Sequence, residues 1–287
     1  MTDIIASLDE ISDRYDAVFC DVWGCLHNGV RPLEGAVSAL RAFRAKGGAV
    51  ILLTNAPRPE AAVLTHLDRI GAPHDAWDAI SSSGGAARDA VKRGEWGRVV
   101  HHIGSMERDA SFFDGADIER VRLEDADAVV CTGLRDDRSE TPADYDEMLT
   151  EASLRKLRFL CANPDLVVDV GVERRYCAGA LAQVYREKGG DVVEYGKPHP
   201  QIYDYARATL TATIGREVAD PRILCIGDGI LTDVAGAIGE DLDCLFVTAG
   251  LAASEVNGPD GAPDAEKLDG YLARHVLSPR WAIGLLG

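Results

Sequence analysis

Four runs in this sequence end in groups that could do chemistry together. Ala17-Val18-Phe19-Cys20 leads into Asp21, Ala49 to Leu53 into Thr54-Asn55, and Val192 to Gly196 into Lys197; Ile223 to Ile226 leads through Gly227 into Asp228, with Asp233 five residues on. A buried parallel strand carries the residue that follows it to the carboxyl edge of its sheet, where groups far apart in the chain share one crevice. The chemistry that uses this set is phosphoryl transfer. One carboxylate attacks phosphorus, a hydroxyl and an amide hold the phosphoryl oxygens, a lysine offsets charge, and the remaining carboxylates hold Mg²⁺. Taken singly, each residue has a plainer reading, Asp21 and Asp228 as turn residues and Lys197 as a surface charge. Their joint arrival at strand ends selects the chemical one.

The elements that must deliver these groups alternate between apolar runs and amphipathic stretches, the pattern of parallel βαβ units. After Asp21, a helix with Leu33, Val37, Leu40 and Phe43 on one face is expected to stop at Gly47-Gly48; a second, with Val63, Leu67 and Ile70 on one face, stops at Gly71. Further strands are read in 97–104, 127–133 and 158–165, with a helix over 141–156 between them, before core strands return in the C-terminal third. The fold expected is α/β, a Rossmann-like doubly wound parallel sheet built from residues 1–83 and 179–287, with an α/β cap domain, residues 84–178, inserted into it. Ser81 to Gly85 reads as the start of a helix leading into the insertion, and the turn-rich stretch 257–270 as a surface loop.

Composition narrows the partners. Thirty Lys and Arg against 47 Asp and Glu give a formal net charge of −17, which repels nucleic acid, so an anionic substrate must be drawn in by a local device. No apolar stretch is long enough for a membrane span, and the acidic N-terminus is unlike a signal peptide, so a cytoplasmic protein is expected. Seven cysteines with no C-x-x-C pair read as reduced core residues.

In this order and on these strand ends, the set resembles the haloacid dehalogenase superfamily of hydrolases and phosphatases. "DVWGCL" is similar to its first motif, "LLTNAPRP" to the second, "YGKPHP" to the third and "GDGILTD" to the fourth. The insertion between the second and third, together with "CANPD", resembles the subclass with a large α/β cap, typified by pyridoxal, nitrophenyl and sugar phosphatases. The resemblance implies that Asp21 is the nucleophile and a metal ligand, that Asp228 and Asp233 complete the metal site with the backbone carbonyl of Trp23, that Thr54 and Asn55 bind phosphoryl oxygens, and that Lys197 holds nucleophile and phosphoryl group in register. It implies Mg²⁺ as cofactor and a small phosphorylated metabolite as partner, with self-association into a homo-oligomer left open.

Trp23 departs from the pattern. The family's phosphatases carry there a second aspartate that protonates the leaving oxygen and later activates water, and indole has no usable proton near neutral pH. Losing a general acid–base costs on the order of 10²–10⁴ in rate. Cys25 replaces a threonine two residues on, and His27 is near enough in sequence to be weighed as a substitute acid–base. Asn163 and Asp165, after a strand of the insertion, read equally as turn residues or as substrate-facing groups. The first reading is therefore a Mg²⁺-dependent phosphatase working through an aspartyl-phosphate. Two alternatives stay open: a metal- and phosphate-binding protein of the same fold that has lost turnover, and a member with another reaction such as dehalogenation.

Overall fold

The computed structural model describes residues 2–170 and 173–287. Its strands, in chain order, are β1 (Asp3–Ile4), β2 (Ala17–Cys20), β3 (Ala49–Thr54), β4 (Ala79–Ser82), β5 (Val99–Ile103), β6 (Glu119–Arg120), β7 (Ala128–Cys131), β8 (Arg158–Cys161), β9 (Val167–Val170), β10 (Glu173–Tyr176), β11 (Val192–Glu194), β12 (Ile223–Gly227), β13 (Asp243–Val247) and β14 (Trp281–Ile283). The helices are α1 (Glu34–Ala45), α2 (Glu60–Arg69), α3 (Ser83–Lys92), α4 (Asp146–Leu154), α5 (Ala178–Glu187), α6 (Pro200–Ile214), α7 (Ala235–Gly239), α8 (Ala253–Val256) and α9 (Ala265–His275). Two compact units emerge, one of Met1–Thr54, Leu64–Ser81 and Tyr203–Gly287, the other of Asn55–Val63 and Ser82–Ile202.

The first unit is built on a seven-stranded sheet in the order β1-β14-β13-β12-β2-β3-β4. From β2 the chain winds outward through β3 to β4, and from β12 outward through β13 to β14, so the winding reverses between β2 and β12. Their pairing is parallel, with Cys20 opposite Ile226, and it continues one residue further as Asp21 N–H donates to the Ile226 carbonyl at 2.8 Å. Every residue of β2 and β12 is buried, as strands covered on both faces require. Helix α1 buries Ala36, Val37, Leu40 and Phe43, while Leu33 precedes its first turn. The stop at Gly47-Gly48 has two causes: Gly47 adopts φ +93°, and the Phe43 ring lies where a Cβ on Gly48 would stand. Rossmann-like winding of an α/β sheet is thus what the alternation of runs and amphipathic stretches produces.

The second unit holds a five-stranded sheet in the order β11-β8-β7-β5-β6, parallel throughout, and a separate antiparallel hairpin of β9 and β10. Its core packs Val129, Cys131, Phe159, Leu149, Leu181 and Tyr185, with Phe159 and Tyr185 stacked at 5.1 Å. Ser82 caps α3 by accepting the Gly85 N–H at 2.9 Å, the helix start read from Ser81 to Gly85. Residues 84–178 lie inside this unit, which runs on through α5 and β11 because β11 pairs with β8.

The stretch 257–270 departs from the surface-loop reading. Only its first part is a loop; Asp264 then accepts the Lys267 N–H at 3.0 Å and caps α9, which buries Leu268, Tyr271 and Leu272. Gly and Asp give the stretch a turn-like composition, while the helical i, i+3, i+4 spacing starts at Leu268 and is completed only beyond it, by Tyr271 and Leu272. All seven cysteines are buried thiols, as core residues. No helix among the described residues is long and apolar enough to cross a membrane.

Candidate active site

In the first unit the reversal between β2 and β12 brings Asp21 and Asp228 together, each the residue just past its strand. Asp21, Cys25 and Asp228 are all buried, and each has a ligand atom within 4.8 Å of the others'. Cys25 joins them because the chain folds back at once: Gly24 turns at φ +84°, Leu26 and His27 N–H both donate to the Val22 carbonyl, and Gly24 N–H donates to the His27 carbonyl. Burial, and then the charges of Asp21 and Asp228, push the Cys25 thiol well above the ordinary range. Nothing in the sequence signals that Cys25 is part of the cluster, since its position follows from the fold-back alone.

The Asp228 carboxylate is seated between two glycines. A Cβ on Gly24 would stand 2.5 Å from its Oδ2, and one on Gly250 would overlap the same oxygen, while Leu251 N–H donates to it at 3.1 Å. Asp233 is used differently: its Oδ2 accepts the Gly229 N–H at 3.0 Å and the Thr232 hydroxyl at 3.4 Å, bracing the loop that presents Asp228. A Cβ on Gly227 would overlap the Asp233 side chain, and one on Gly229 the Thr232 hydroxyl. Two buried carboxylates held this close repel each other unless a cation stands between them. Hard oxygen donors in a cradle shaped by glycine suit a divalent ion such as Mg²⁺.

Trp23 is 49% exposed, and its indole packs against His27 and Gly29. The ring meets His27 edge-on, centroids 5.4 Å apart at 78°, and covers Gly29, where any Cβ would overlap it. His27 is 2% exposed and lies edge-on to His66 at 5.5 Å. Its Nδ1 accepts the Gly29 N–H at 2.9 Å, and burial, with His66 adding to it, lowers its pKa to about 4. His27 is thus a neutral brace for the indole, and the idea that it substitutes as acid–base falls because the ring is shut from solvent and one nitrogen is already engaged.

In the second unit, Asn55, Asn163, Asp165 and Lys197 form their own cluster. Asn55 Oδ1 accepts the Lys197 N–H at 2.7 Å, and Asn55 Nδ2 donates to Asp165 Oδ1 at 2.8 Å and to the Lys197 carbonyl at 3.1 Å. Asp165 N–H donates to Asn163 Oδ1 at 3.0 Å, an Asx turn. Both Nδ2 protons of Asn55 are therefore engaged, and its amide serves to fix the loop that carries Lys197, itself only 2% exposed. His101 and His102, read as structural, bond within this unit to the Val121 carbonyl and the Thr132 hydroxyl. Thr54, at the end of β3, is half-buried in the first unit.

Residues 18–119 match the family described as haloacid dehalogenase-like hydrolase, and residues 194–269 the family described as HAD-hydrolase-like. Among solved structures, the chain is similar to a hydrolase of the haloacid dehalogenase-like family from Brucella suis 1330, with 42% identity over 99% of this chain and 100% of that one and a TM-score of 0.83. It shares its fold with a p-nitrophenyl phosphatase from Archaeoglobus fulgidus, at 21% identity over 94% and 96% of the two chains and a TM-score of 0.73. A glycerol phosphate phosphatase from Mycobacterium tuberculosis, in complex with calcium, matches at 25% identity over 84% of this chain and 68% of that one, TM-score 0.65. No curated protein matches the chain.

Proposed function

This chain belongs to the haloacid dehalogenase-like hydrolases, and we propose that it is a cytoplasmic Mg²⁺-dependent phosphatase that cleaves a small phosphorylated metabolite through an aspartyl-phosphate on Asp21. The observation that carries this reading is the pairing of Asp21 with Asp228 at the winding reversal, their ligand atoms within 4.8 Å of Cys25 and of each other. Asp21 Oδ attacks phosphorus as the bond from phosphorus to the leaving oxygen breaks; water then displaces the carboxylate and phosphate departs. Asp21, Asp228 and the Trp23 carbonyl would hold the ion, with Asp233 as a further ligand or as the brace of the loop. When bound, Mg²⁺ supplies charge neutralisation for carboxylate and phosphoryl group alike. Thr54 takes a phosphoryl oxygen and Lys197 offsets charge, roles that rest on their places in the motif order, while the Asn55 side chain, its amide engaged, holds the Lys197 loop in place. Solved neighbours named as phosphatases, one of them holding calcium, support the substrate class and the divalent ion.

Trp23 stands where the family's phosphatases carry their acid, so the leaving oxygen must depart unprotonated, and rate should track its ability to carry charge. A panel of acyl, aryl and alkyl phosphates, assayed for phosphate release with Mg²⁺ and with a chelator, tests the proposal. Mg²⁺-dependent release, fastest from acyl and aryl esters, is the expected result. Ligand-dependent stabilisation without release would replace it with the binding-protein reading, and halide release from haloacids with dehalogenation.

A further inference from the structure

We propose that Trp23 is a specificity residue whose indole stacks on the leaving group, so that the substrates are phosphates of flat, conjugated groups, aryl, heteroaryl or enol, rather than of saturated alkyl groups. This rests on the phosphatase reading above and narrows it.

Two independent observations converge on that class. The first is the surface that the nucleophile's loop presents. From Asp21 to His27 the side chains of Asp21, Val22, Cys25, Leu26 and His27 are buried and Gly24 has none, which leaves the indole, two residues from Asp21, as the exposed side chain of this loop. It is also held in place, edge-on to His27 on one side and laid over Gly29, whose φ of +84° and missing Cβ make room for it. An exposed aromatic ring already fixed loses little freedom when a second ring stacks on it, which is how preorganised recognition surfaces gain affinity. The second observation concerns the proton. No residue of this loop offers one to the leaving oxygen: indole has none to give, and the His27 ring is closed off from solvent with its Nδ1 engaged by Gly29. A group that departs as an anion must delocalise its charge, and oxygens attached to conjugated, planar carbon do so. Stacking and charge delocalisation thus select the same leaving groups.

The test uses non-hydrolysable phosphonates on the Mg²⁺-loaded protein. Of the four tryptophans, Trp77, Trp96 and Trp281 are 6%, 2% and 6% exposed, so the solvent-exposed emission belongs to Trp23. Phenylphosphonate and cyclohexylphosphonate are titrated by fluorescence and by calorimetry against the wild-type protein, Trp23→Phe and Trp23→Leu. The expected result in the wild-type protein is a preference of about threefold to tenfold for the phenyl compound, accompanied by a change in the exposed emission; by calorimetry the preference is kept in Trp23→Phe and lost in Trp23→Leu. Equal affinities in the wild-type protein, or a preference that survives Trp23→Leu, would overturn the proposal. Phosphate release from phenyl phosphate in the same preparation separates the two failures. Release with equal phosphonate affinities sinks the stacking role alone; no release and no binding of either phosphonate sinks the phosphatase reading and this inference with it.

Discussion

Strands β2 and β7 differ by a single side chain, Phe19 against Val130, and both are wholly buried. Both stand where the winding of their sheet reverses, β2 beside β12 and β7 beside β5. They part ways at the next residue. After β7 comes Thr132, whose hydroxyl donates to Asp109 Oδ2 at 2.6 Å and accepts from His102 Nε2 at 2.8 Å, while Asp109 also accepts the Ser105 N–H and faces Arg108. One buried carboxylate there is answered by a hydroxyl, an amide and a guanidinium, and the crevice closes on itself. After β2 comes Asp21, and a second buried carboxylate, Asp228, stands beside it with the Cys25 thiol. The crevice at a reversal is an architectural opportunity, and the groups placed in it decide between a structural network and a cluster whose paired carboxylates suit a cation.

That contrast can be broken from either side. The largest effect is expected from Asp21→Asn, which keeps the volume and removes the nucleophile: turnover should fall on the order of 10³-fold or more with circular dichroism unchanged. Wild-type rates in that variant would mean that another group attacks. Next is Gly250→Ala, which drives a methyl into Asp228 and should weaken Mg²⁺ binding about 10- to 100-fold by calorimetry. On the other side, Thr132→Val leaves Asp109 and His102 each short of a partner and should cost about 1–2 kcal/mol of stability in denaturant unfolding, with Mg²⁺ affinity unmoved. The smallest effect is one the two units share. Burial lowers His102, like His27, to about 4, so both rings are neutral in the fold while the unfolded chain takes up a proton near pH 6.5. Their contribution is complete above pH 6.5 and is lost as pH falls toward 4, about 1 kcal/mol per ring between pH 6.5 and 5.5. Stability measured against pH in His102→Gln should fall with a shallower slope than the wild type in that window; an unchanged slope would acquit this ring.

The meeting of Asp21 with Asp228 was legible in the sequence because buried parallel strands announce themselves as uninterrupted apolar runs, and the residue after such a run has one place to go. The winding needed only the alternation with amphipathic helices. Less could be read where the structure depends on backbone turning or on side-chain bonding. Cys25 enters the cluster through the fold-back at Gly24, and the seat of Asp228 depends on Gly250, 22 positions downstream in the turn that follows another strand. The Asn55 amide, read as a phosphate donor, is engaged by Lys197 and Asp165. The relay through His102, Thr132 and Asp109 joins residues whose spacing follows no helical or strand period. Helix α9 was hidden by a composition that turns and exposed helices share.

The buried cysteines have a consequence for how the molecule's opening can be watched. Cys20, Cys25, Cys225 and Cys244 belong to the first unit and Cys131, Cys161 and Cys177 to the second, and burial raises Cys131 and Cys177 to about 12. Alkylating reagents attack thiolates that they can reach, so the native protein should resist them until a segment opens and lets the thiol ionise. Each half of the chain thus carries its own set of chemical clocks, and the order in which they are labelled records which half loosens first.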